Sequence, residues 1–182
     1  MEFARQCLFP DLDVHLISTT DQWAQFAIAG PKSRDVLSKI IDKVDMSNDG
    51  FPFMACSDVT VCGGTPGRLF RISFSGELAY EVAVPARYGD ALIREIMAAG
   101  EEFDITPYGT EALGVMRIEK GHVTGAELNG QMTAFNINMN NMVSAKKDSI
   151  GSVLSRREVM VADNQVRLVG VKTVEKTDSL SS

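Results

Sequence analysis

Cysteine and histidine are scarce in this 182-residue chain. Cys7, Cys56 and Cys62 are odd in number and lack zinc-type spacing, so neither a disulfide framework nor a metal centre is indicated. His15 and His122 stand far apart, with no Cys or Asp motif beside them, and each reads as a core or surface residue. Positive charge is also short: 18 Lys and Arg against 24 Asp and Glu give a net charge of −6. Phosphate-rich partners require a basic stripe, which argues against nucleic acid and anionic membrane surfaces. No run approaches the roughly 20 apolar residues that span a bilayer. The opening "MEFARQCLFPDLD" carries acids and a proline where a secretion signal needs an uninterrupted apolar stretch, so the expectation is a cytoplasmic protein. G-x-G-x-x-G after a strand, G-x-x-x-x-G-K-[ST] and G-x-S-x-G are all missing, which removes the usual dinucleotide, nucleoside-triphosphate and nucleophile-elbow sites.

What is present is enough apolar sequence, 45% of residues, to build a core. Alternation predicts strands over 12–19 ("LDVHLIST"), 22–29 ("QWAQFAIA") and 80–84, and β-branched content predicts another over 166–174 ("VRLVGVKTV"). A hairpin is expected with "SDVTVC" rising, "GGTPG" at 63–67 as its turn and "RLFRISFS" descending. Helical spacing of Val36, Leu37, Ile40, Ile41 and Val44 after Gly30-Pro31 predicts a helix over 32–44. Further helices are expected from Pro85 to about Ala99, over 106–121 with Thr110 as cap and Gly121 as stop, and around 149–157. "FNINMNNM" at 135–142 reads as a strand or an extended loop. Hairpins and helices interleave without strict βαβ alternation, so the fold class is α+β.

One residue breaks this pattern. In "SGELAYEVAVP", Tyr80, Val82 and Val84 share one face, and Glu81 falls on the other beside Ala83. A carboxylate there either meets water, as on most antiparallel sheets, or faces a cleft and holds a ligand. Residue chemistry alone leaves both readings open.

Three blocks in order, "QWAQFAIAGPKSRDVL", "SFSGELAYEVAVP" and "PYGTEALGVMRIEKGH" with "GAELNG" and "KKDSIG" beyond it, resemble the aminomethyltransferase family, whose founding member acts in glycine cleavage. "YGTEALGVMRIEKGH", "ELNGQMTA" and "KKDSIG" are closer still to the C-terminal half of the α subunits of heterotetrameric sarcosine oxidases. The resemblance runs from about Met1 to Lys172. It implies the family's folate-binding fold over residues 1–160, incomplete at its N-terminus, and the first strand of a truncated C-terminal barrel over 161–182. The α subunits are several times longer, so the chain is expected to be an internal fragment or a truncated reading frame.

For function, the resemblance implies capture of the one-carbon unit released from sarcosine as 5,10-methylenetetrahydrofolate. Tetrahydrofolate is the cofactor of this region; FAD, FMN and NAD belong only to the parent complex. The implied partners are the β, γ and δ subunits and the missing parts of α. The family's pterin anchor, the second glutamate of G-E-x-x-[aromatic]-E, falls on Glu81, with Tyr80 before it. Two coplanar carboxylate oxygens match the paired N–H donors of an aminopyrimidinone edge, and Ala83 leaves room beside it. Phe74 stands where the family usually has Tyr, keeping a ring to stack but losing the hydroxyl. Leu113 replaces an arginine of the transferases, which argues against the alternative of a stand-alone aminomethyltransferase of glycine cleavage or a related dimethylglycine-type demethylase. Arg117 and Glu119 match R-[LI]-E and read as helix-capping or ion-pair residues. The family's catalytic aspartate lies upstream of the matched region, so Asp11 and Asp13 are not candidates and no catalytic or metal-ligating residue is expected in this chain. A non-catalytic assembly module, docking other oxidase subunits through its apolar strands, is the alternative from another class.

Overall fold

The computed structural model describes residues 1–144, 146–149 and 151–175. It divides into two compact units, Met1–Leu113 and Gly114 onward. In the first unit the order is α1 (Glu2–Leu8), β1 (Trp23–Ala29), α2 (Ser33–Leu37), β2 (Ile41–Asp42), β3 (Cys56–Val61), β4 (Thr65–Phe70), β5 (Ala79–Pro85) and α3 (Gly89–Gly100). The strands form one antiparallel sheet in the order β1-β5-β4-β3-β2, which with its helices gives the α+β class. Register places Ala24 opposite Val84, Phe26 opposite Val82 and Ile28 opposite Tyr80. Period-two alternation therefore gathers the large apolar side chains of β1 and β5 on a single face. Tyr80, Val82, Val84 and Leu69 are fully buried there, with Val61 and Leu37, and α3 adds Leu92 and Ile96.

Several expected elements differ, each for a local reason. Residues 13–19 form no strand, and Val14, Leu16 and Ile17 are exposed. The helix expected over 32–44 stops at Leu37 because Ile41 turns into β2 and pairs with Val61, while Lys43 adopts φ 56°. Ile40 and Ile41 are buried as expected, since adjacent β-branched residues suit a strand as well as a helix face. The hairpin turn is tighter than "GGTPG": Cys62 and Gly63, at φ 52° and 72°, reverse the chain, and Thr65-Pro66-Gly67 already belong to β4. Pro66 is tolerated because β4 meets β5 only from Arg68 to Phe70. Gly67 is required by crowding, since a Cβ there would lie 2.8 Å from Val61 Cγ2 and 2.9 Å from the Ala83 carbonyl oxygen.

Helix α4 (Thr110–Lys120) ends where predicted, at Gly121 with φ 80°. In the second unit, residues 135–142 run through turns, and α5 (Glu158–Val161) follows a 3₁₀ turn at Leu154–Arg156 in place of the helix expected over 149–157. The strand expected over 166–174, and with it the first barrel strand, is not formed. That segment is instead tied to residues 135–138: Leu168 N–H donates to the Asn136 carbonyl at 2.7 Å, and the Asn136 and Asn138 amides donate to the Val166 and Leu168 carbonyls. Side-chain amides thus take the place of a ladder partner. The remainder of the expected barrel start, 176–182, lies outside the described residues. Among the described residues no helix is long and apolar enough to cross a membrane.

Candidate functional site

Glu81 sits in β5, one strand in from the β1 edge, directly opposite Ala27 on one side and Phe70 on the other. Because Tyr80 and Val82 point into the core, Glu81 projects from the opposite face of the sheet, where it is half-buried. Gln25, diagonal to it on β1, donates its side-chain amide to Glu81 Oε2. Gln25 is itself exposed, so the hydrogen-bond partner of this carboxylate among the described residues is a surface amide that a ligand N–H can replace. The room expected beside Ala83 is taken: Ala83 is buried, and its cross-strand partners are Gln25 and Arg68. Space lies instead over Ala27, which is exposed. Farther along the same face, the Arg68 guanidinium stacks 4.2 Å from the Trp23 ring centroid and approaches Asp58 at 3.6 Å.

The other two expected ligand residues part company. Phe74 lies in the bend before β5 and is 41% exposed. Tyr80 is fully buried, stacks against Phe51 at 6.4 Å between ring centroids and accepts a hydrogen bond from Arg34 Nε at 3.1 Å. Its ring belongs to the core beneath Glu81, on the face away from it.

A cavity of about 540 Å³ opens along β1, between that strand and a wall formed by α3 and residues 103–113. Gln25 and Ala27 line it, so the residue that binds Glu81 also borders the cavity. Most of the lining is apolar, including Phe26, Ile96, Phe103 and Leu113. The position where the transferases carry arginine therefore gives this cavity an apolar side. Sequence reasoning missed Gln25; its placement depends on the β1–β5 register, which no local motif encodes.

Arg117 has the structural role expected of it. Its Nη1 pairs with Glu127 Oε1 at 2.9 Å and donates to the His122 carbonyl at 3.2 Å, closing the end of α4. Glu127 Oε2 accepts from the Thr124 N–H at 2.7 Å and from its hydroxyl at 3.1 Å. The Arg117 bond, and next the Thr124 N–H, pull the Glu127 carboxyl down to about 2. Among the described residues no cluster of His, Cys, Asp and Glu could hold a metal ion.

The GCVT N-terminal domain model matches residues 1–147. The chain is 50% identical to the sarcosine oxidase subunit alpha of Rhizobium meliloti over 100% of its own length, and 44% identical to that of Corynebacterium sp. (strain U-96) over 94%. It is also 36% identical to the mitochondrial dimethylglycine dehydrogenase of Homo sapiens over 64% of the chain, which is 13% of that protein. The chain spans about 18% of the length of each of the two sarcosine oxidase subunits.

Proposed function

The chain belongs to the GCVT N-terminal domain family, and from that premise we propose that it is the folate-binding region, over residues 1–160, of a sarcosine oxidase-type α subunit. There it captures the one-carbon unit of oxidised sarcosine on tetrahydrofolate. Glu81 holds the aminopyrimidinone edge of the pterin, Phe74 offers a ring for stacking, and Tyr80 steadies β5 from the core side. The observation that carries this reading is a half-buried carboxylate above an exposed alanine, with a displaceable surface amide on one of its oxygens. A planar heterocycle needs that geometry: two acceptors in one plane, and a small neighbour that lets the ring approach. The adjoining apolar cavity, bordered by Gln25 and Leu113, supports the same assignment by giving the bound molecule a shielded continuation.

Tetrahydrofolate supplies the nitrogen nucleophiles that trap a one-carbon electrophile. This chain's residues would bind and orient it and exclude water. FAD, FMN and NAD chemistry, and contacts with β, γ and δ subunits, belong in this proposal to the rest of the oxidase. In the complete α subunit, assembled with its partners, Glu81→Ala is expected to abolish methylenetetrahydrofolate formation while sarcosine oxidation to peroxide continues. Unchanged yield of the folate product would remove Glu81 from the site.

A further inference from the structure

Two guanidinium groups in the first unit converge on one neutral oxygen. Arg34, on α2, donates from Nη2 to Asn48 Oδ1 at 2.7 Å, and Arg71, just beyond β4, donates from Nη2 to the same atom at 2.8 Å. Each is fixed on its other side by the core. Arg34 Nε donates to the buried Tyr80 hydroxyl at 3.1 Å, and Arg71 Nη1 donates to the carbonyl of buried Phe51 at 2.7 Å. Both arginines are half-buried, and neither enters an ion pair among the described residues. Asp45 lies near enough to feel the Arg34 charge, but its carboxylate is turned to the Ser47 N–H at 2.8 Å.

Like charges held together on an uncharged acceptor repel, and among the described residues no carboxylate is paired with either guanidinium to offset this. A guanidinium has five N–H donors, of which each arginine here uses two, so both retain donors for another oxygen. The shared acceptor sits on the exposed turn 47–50, which an ion can reach from solvent. We propose that Arg34 and Arg71 form an oxyanion site, with the Asn48 carbonyl between them, that takes a doubly charged oxyanion such as the phosphate group of a phosphate ester. Two fixed cations balance a dianion, and rigid guanidinium forks suit an acceptor with several oxygens; a monocarboxylate supplies only half that charge.

The test is NMR of the arginine Nε–Hε signals in the 182-residue chain during titration with inorganic phosphate, with acetate at equal ionic strength as the second arm. The Arg34 and Arg71 signals should shift saturably, with a midpoint at least about tenfold lower for phosphate than for acetate, the selectivity expected of a charge-assisted pair. Asn48→Asp places a carboxylate between the cations without changing shape and should abolish the phosphate response, whereas Asn48→Ala, which leaves both core anchors in place, should keep it. A linear, unsaturating drift, equal midpoints for the two anions, or an unchanged phosphate response in Asn48→Asp would overturn the proposal.

Discussion

Two carboxylates in this chain sit in opposite circumstances. Glu127 has its oxygens taken by Arg117 and Thr124, and it stabilises the turn after α4. Its carboxyl, at about 2, lies below the ordinary glutamate value of 4.5. A folded-state value below the unfolded one adds stability that is fully present above about 4.5 and is lost as pH falls through about 2. Glu127→Gln should therefore be less stable than the parent at pH 7 and converge with it near the acid end, as urea unfolding at a series of pH values will show. Parallel curves at every pH would contradict the ion-pair account. Glu81, by contrast, has one surface amide on one oxygen among the described residues. That difference separates a carboxylate engaged in folding from one whose partner is a replaceable surface amide, as the proposed folate role of Glu81 requires.

At the scale of elements, glycine gives opposite predictions in a strand and in a helix. Gly67→Ala forces a methyl group against Val61 and against the Ala83 backbone, which cannot move without breaking the sheet, and should cost about 1–3 kcal/mol in urea unfolding. Gly114→Ala, in the middle of α4, meets nothing within 4 Å and should stabilise the chain by about 0.5–1 kcal/mol. The elements legible in the sequence were those whose apolar pattern and end signals agreed: β1, β5, α3 and α4. The hairpin was legible but not its turn, because positive φ at Cys62 is set by strand register and not by residue type. Residues 32–44 misled because Val36, Leu37, Ile40 and Ile41 satisfy helical spacing while Ile41 is claimed by β3. Residues 12–19 and 166–174 carry strand-like residues, yet no ladder takes them up among the described residues. Alternation shows what a strand could bury, not whether a neighbour is there. Glu81 was legible as an anomaly from its alternation alone; its partner Gln25, 56 residues away, was not.

At the scale of the whole molecule, the first unit has a well-formed core and yet leaves large apolar side chains in water. Phe3, Ile17, Phe53 and Met54 are each at least 66% exposed. Such side chains suit surfaces that other protein covers, which accords with a chain spanning 18% of its sarcosine oxidase relatives. The isolated chain is therefore expected to self-associate as concentration rises, measurable by sedimentation velocity; a single monomeric species over the whole concentration range would contradict this. The most direct test of the folate site is calorimetric titration of the complete α subunit with tetrahydrofolate, comparing the parent with Glu81→Gln. Replacing one carboxylate oxygen by an amide donor removes a charge-assisted contact of about 1.5–3 kcal/mol, so the affinity should fall roughly 10- to 150-fold with the fold unchanged. Equal affinity in the two proteins would mean that the pterin is held elsewhere.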